Sequence, residues 1–144
     1  MENAPFVIEQ IFPATADVVW RAISNREEMI KWYFDLKEFK PEVGFEFRFT
    51  AGPSDERQYK HVCKVTVVIV GKKLAYSWHY DGYDGVSEVT FELFAEENQT
   101  KLRLTHAGLE SFPVYIPDFS PQSFADGWTY LIGTALKEYL EKMA

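Results

Sequence analysis

The groups able to do chemistry are few: His61, His79, His106 and Cys63 stand among twelve Phe, eight Tyr and four Trp. His106 follows Leu102 and Leu104 at intervals of two, so a strand through them turns its imidazole inward, where it must be hydrogen-bonded or lose free energy. Two roles fit that place: a structural histidine held by a backbone or Tyr partner, or a ligand-orienting or general acid/base group. Trp78 is in phase with Leu74, Tyr76 and Tyr80 and serves either as core or as a face for a ligand. Trp128, the first large residue of the last apolar run, is placed either to close one end of a cavity or simply to pack. Consecutive rings cannot all face inward, so Trp32-Tyr33-Phe34, with Phe112, Tyr115 and Phe119, either frame a cavity mouth or pack a loop down. Cys63 reads as a small buried hydrophobe. If Gly71-Lys72 is a two-residue hairpin turn, His79 stands opposite Lys64 and His61 opposite Gly82; the two imidazoles then face opposite sides of the sheet and cannot share a metal ion. GxSxG, HExxH, GxGxxG and Walker-type patterns are absent from the sequence, so neither metal nor cofactor is expected.

The elements that must hold these groups belong to a chain of 144 residues, the size of one domain, expected here to span residues 1–144. Aromatic residues reach 17%, more ring surface than packing alone usually requires, and lining a concave pocket is one use for it. A net charge of -7 opposes a polyanion, which makes nucleic acid a poor partner. One cysteine excludes an internal disulfide, and the N-terminal Met1-Glu2-Asn3-Ala4-Pro5 lacks the basic and apolar regions of a signal peptide, so a cytoplasmic location is expected. The longest apolar run, Val65 to Val70, has strand length rather than membrane-spanning length.

Phe6 to Phe12 reads as a strand ended by Pro13. Thr15 precedes a helix over Ala16 to Ser24, and Asn25 with Glu28 forms a second capping pattern before Met29, Ile30 and Tyr33. Val43, Phe45, Phe47 and Phe49 then alternate with Gly44, Glu46, Arg48 and Thr50, the period of a half-buried strand. Gly52-Pro53-Ser54-Asp55 reads as a loop. Tyr59 to Val70 and Leu74 to Tyr80 form a long hairpin, and Val89, Phe91, Leu93 and then Leu102, Leu104, His106 supply two more one-sided strands. The Pro-rich stretch from Gly108 to Gln122 has no period. Beyond it Ser120 caps with Pro121 at the first helical position, or Ser123 caps with Asp126. Either start leads into an apolar stripe of Trp128, Leu131, Ile132, Ala135, Leu136, Tyr139, Leu140 and Met143. Gly127 and Gly133 inside that helix mark either close backbone approach or tolerated surface glycine. One strand, two helices, a run of about six antiparallel strands and a long final helix make an α+β arrangement.

In that order, the segments Ile11-Phe12-Pro13-Ala14-Thr15-Ala16-Asp17-Val18-Val19-Trp20, Trp32-Tyr33-Phe34, Val43-Gly44-Phe45-Glu46-Phe47, Leu74-Ala75-Tyr76-Ser77-Trp78, Leu102-Arg103-Leu104-Thr105-His106-Ala107-Gly108 and Gly127-Trp128 resemble the START-like (SRPBCC) superfamily. Within it they resemble the AHSA-like family, related to the C-terminal domain of the activator of the heat-shock-protein-90 ATPase. The resemblance implies a helix-grip fold: a curved antiparallel sheet around the long helix, with a cavity between them. Members of the family are diverse in function, so the expected activity rests on the residues: non-enzymatic binding of a small apolar or amphipathic ligand in that cavity, with Trp32, Tyr76, Trp78, His106, Phe112, Tyr115, Trp128 and Ile132 as the expected ligand-binding residues. Two alternatives stay open: a protein-interaction module with a chaperone or a second copy as partner, and a small enzyme using His106. A full co-chaperone also carries a separate N-terminal domain, which this sequence is not expected to encode, and that expectation weakens the co-chaperone reading.

Overall fold

The structure, a computed structural model, describes residues 4–143. Met1 to Asn3, Ala144 and the side chain of Met143 lie outside the described part. Strand β1 (Phe6–Phe12) leads into α1 (Ala16–Ser24) and α2 (Arg26–Trp32). Asn25 separates the two helices because its backbone is extended; its side chain accepts from the Glu28 amide at 3.3 Å and so caps α2. Thr15 is likewise extended before α1 but makes no side-chain cap bond. Val19, Ala22 and Ile23 turn the buried flank of α1 into the core.

Strands β2 (Glu46–Ser54), β3 (Arg57–Ile69), β4 (Lys73–Tyr80), β5 (Ser87–Glu96) and β6 (Gln99–Ala107) follow. The run after the helices therefore holds five strands rather than about six. With β1 they form one antiparallel sheet in the order β1-β6-β5-β4-β3-β2. The expected phases hold: Val89, Phe91, Leu93, Leu102, Leu104 and His106 are all buried. Two expectations change. Gly52, Pro53 and Ser54 belong to β2 rather than to a loop, because β2 is an edge strand with a bulge between Ala51 and Ser54, where proline forfeits no ladder bond. Gly52 is required there: a Cβ would run into the Arg57 carbonyl. The β3–β4 register also differs. The hairpin loop is Val70-Gly71-Lys72, Ile69 pairs with Lys73, and a bulge lies between Val65 and Val67, so His79 faces Val62 and His61 faces Tyr80. One extra loop residue and one bulge each slip the register by one position. Together they restore the side-chain phase, and the two imidazoles still point to opposite faces.

Ser120 caps the last helix, accepting from the Ser123 amide at 3.2 Å with Pro121 at the first helical position, which settles the choice between the two starts. Helix α3 (Pro121–Tyr130) continues through a π-helical stretch (Leu131–Leu136) into α4 (Lys137–Met143). Phe124, Trp128, Ile132, Leu136 and Leu140 are the buried residues of this rod, spaced strictly by four. In a regular α-helix four residues overshoot a turn by about 40°, so such a series winds off the buried face. The wider π turn brings it back. The rod approaches β1 and α2 closely and stands further from β2, β3 and β4. This is the helix-grip arrangement. At Gly127 and Gly133 an added Cβ would meet nothing within 4 Å, so neither marks a close approach.

Candidate functional site

Where the helix stands off from the sheet, an open cleft of about 450 Å³ remains, a volume within the usual range for small-molecule sites. Sheet residues Tyr59, His61, Trp78 and Tyr80 form one wall, and Phe124, Gly127, Trp128 and Leu131 of the helix form the other. Phe34, Asp118, Phe119 and Asp126 complete the rim together with the end of β2. The rings pack as layers. Tyr80 stacks on Phe119 at 4.2 Å, and His61 stacks on Phe49, which stacks on Phe34, each at 4.4 Å. The Trp78 and Trp128 rings are in tilted contact, their centres 5.8 Å apart.

The two indoles are fixed from behind. Trp128 Nε1 donates to His106 Nδ1 at 2.9 Å. Because an indole N–H can only donate, Nδ1 must be the acceptor and the proton of the neutral imidazole sits on Nε2. Nε2 therefore donates to Ser87 Oγ at 2.7 Å, and Ser87 donates to the Trp78 carbonyl at 3.0 Å. Trp78 Nε1 in turn donates to Tyr80 Oη at 3.0 Å. This chain ties the helix to β6, β5 and β4 and assigns every proton from Trp128 to the Trp78 carbonyl. Burial pushes His106 down to about 3, so the ring stays neutral.

His61 is also buried. Its Nδ1 donates to the Tyr59 carbonyl at 2.9 Å, which leaves the lone pair on Nε2. Burial lowers its pKa to about 4, with the Tyr59 and Phe49 carbonyls opposing the shift. At the rim Tyr59 Oη donates to Asp118 at 2.6 Å, and Arg57 approaches the same carboxylate at 3.5 Å. The Asp118 bond holds the Tyr59 phenol up at about 12.

Of the eight residues expected at the site, Trp78 and Trp128 line the cleft. His106, Tyr76, Phe112 and Ile132 are buried and absent from its surface. Tyr76 shares a 2.6 Å hydroxyl contact with Tyr33, while Phe112 packs on Tyr80 and stacks on Phe124. Trp32 lies apart, in a groove with Tyr130 and Tyr139, and its Nε1 donates to the Ala22 carbonyl at 2.8 Å. Tyr115 projects outward, 80% exposed. The sequence pattern does not single out Tyr59, Asp118 or Ser87, and it weighs His61 only as a metal ligand. Tyr59 and His61 share the phase of Cys63 and Val65, a signal that was available. Ser87 and Asp118 carry none.

A curled six-stranded antiparallel sheet gripping a long helix defines a START-like helix-grip protein. The chain belongs to the family of Activator of Hsp90 ATPase homolog 1-like proteins, whose model matches residues 13–141. Solved structures agree on the fold. The Mll3558 protein from Rhizobium loti superposes with a TM-score of 0.82 at 19% identity, over 95% of this chain and 96% of its own. MLL2253 from Mesorhizobium loti gives 0.77 at 26% identity, over 97% and 98%. The Aha1 dimer from Colwellia psychrerythraea gives 0.72 at 21% identity, over 96% and 97%. No curated protein matches. No helix among the described residues is long and apolar enough to cross a membrane.

Proposed function

We propose that the protein binds a small apolar or amphipathic molecule in the cleft between β3–β4 and the C-terminal helix, as a cytoplasmic, non-enzymatic carrier or sensor. The observation that carries this is the pair of indoles. The two rings pack against each other at 5.8 Å with both N–H groups taken up by protein partners, so together they offer the cleft an apolar aromatic surface. Trp78 and Trp128 contact the ligand, and His106, Tyr76, Phe112 and Ile132 hold the walls, whereas Trp32 and Tyr115 stand away from the site. The sealed, neutral His106 supports binding without acid/base chemistry. Native mass spectrometry of freshly purified protein, followed by tryptophan fluorescence titration with naphthalene-sized probes, tests the reading. A retained small molecule or saturable quenching is expected; bare protein with inert fluorescence would reject it.

A second reading, docking on a chaperone or a second copy, is favoured by the exposed apolar tip at Val114 and Tyr115, 95% and 80% accessible. A pull-down in which Tyr115→Ser abolishes chaperone capture would favour it.

A further inference from the structure

Resting on the cleft reading, we infer that the preferred ligand is an amine: an apolar, ring-sized body carrying an ammonium group, rather than a carboxylate or phosphate. The lining side chains that bear formal charge at neutral pH are Asp118 and Asp126, and the lining holds no Lys or Arg. Asp118 is partly neutralised by Arg57 and Tyr59. Among the described residues Asp126 receives only the Gln122 amide, at 2.8 Å, so their charges leave the rim net negative.

The rest of the wall points the same way. An anion needs donors, and both indole N–H groups are spent on His106 and Tyr80, which leaves the wall the Tyr80 and Ser123 hydroxyls, groups that accept from an ammonium as readily as they donate to an anion. What the indoles offer instead is π surface, which attracts a cation within about 6 Å of a ring centre. His61 stands 6% exposed at the wall with its Nδ1 proton committed to the Tyr59 carbonyl, so its free nitrogen is an acceptor for an ammonium proton and repels a carboxylate. Acidic rim, electron-rich faces and an acceptor imidazole are three independent features with one sign.

The test uses three probes of one shape at neutral pH: 1-naphthylmethylamine, 1-naphthalenemethanol and 1-naphthoate, titrated into the full-length protein by calorimetry at low salt. The amine is expected to bind at least about tenfold tighter than the carboxylate, with the alcohol between them. Asp126→Asn, on an exposed helix position, should reduce that ratio at least about threefold. Glu97→Gln, which removes the same charge from an exposed turn, should leave it unchanged. Asp118→Asn, which can still accept from Tyr59, should act like Asp126→Asn. Equal affinities, or tighter binding of naphthoate, would overturn the amine preference while leaving the cleft reading standing. If none of the three binds, the cleft reading falls and the preference with it.

Discussion

Ile132, Leu136 and Leu140 are sealed to 1% exposure or less on the part of the helix that lies along β1 and α2. One turn earlier the same helix presents Trp128 and Leu131 to an open cleft. The packed half is aliphatic at its buried positions, with Tyr139 at its edge donating to Glu28 at 2.9 Å. The cleft half is aromatic and threaded by the Trp128-His106-Ser87-Trp78 chain. Branched aliphatic side chains interdigitate and fill space, whereas planar rings pinned through N–H and O–H groups keep their planes and line the open space beside them. The contrast shows how one helix can both stabilise a sheet and hold a site open against it.

Acid should separate the two halves most strongly. His61 and His106 have folded pKa values lowered to about 4 and about 3, against about 6.5 in the unfolded chain. Between those values the unfolded state binds more protons, so stability is intact above about pH 6.5 and falls as pH drops. Each histidine contributes a slope of up to about 1.4 kcal/mol per pH unit, or about 5 kcal/mol together by pH 4.5. Urea melts from pH 7 to 4.5 check the size. Hydrogen exchange should show β3, β4 and the start of α3 opening before α4, and uniform opening would break the comparison.

Leu136→Ala comes next, at about 2 to 5 kcal/mol from the cavity it leaves, with probe binding unchanged once the variant is folded. A loss under 1 kcal/mol by denaturant melt would mean that the packed half is no tighter than the cleft half. Trp128→Phe should cost about 1 to 3 kcal/mol, because His106 Nδ1 loses its donor in a buried place. That variant should also shift probe preference toward bulkier rings; a stability loss with the parent's probe preference would assign Trp128 to packing alone.

The smallest effect is the sharpest. Gly127 lines the cleft and Gly133 does not, yet both have open space at Cβ. Either changed to Ala should stabilise the helix by about 0.5 to 1 kcal/mol. Only Gly127→Ala should weaken binding, and equal effects on affinity would place the ligand elsewhere.

The faces were legible in the sequence and the partners were not. Leu102-Leu104-His106 and Leu74-Tyr76-Trp78-Tyr80 point inward because alternation alone determines a strand's phase. Their neighbours depend on loop length and bulges, and the β3–β4 hairpin carries one slip of each kind that cancel in phase but not in pairing. The π stretch had a trace in the strict spacing of four from Phe124 to Leu140, which regular α-helical geometry does not sustain over so many turns. Ser87 and Asp118 could not be found by pattern. A serine at the start of a strand and an aspartate in a Pro-rich loop gain their roles only when β4 and β3 arrive beside them.

The strand order also dictates a sequence of events in time. Strands β2 to β6 are joined as successive neighbours, but β1, made first, must wait for β6: Phe6 pairs with His106. The long helix leaves the ribosome after all six strands. Until it docks, Trp78, Tyr80, Tyr59 and their neighbours form a bare aromatic slab on a half-built sheet, the kind of transient surface that slows folding and invites aggregation. A molecule that fits between slab and helix stabilises only the finished state, by about 2.7 kcal/mol at a hundred times its dissociation constant. Cells that make this protein alongside its ligand should recover more of it in soluble form than cells that make it alone.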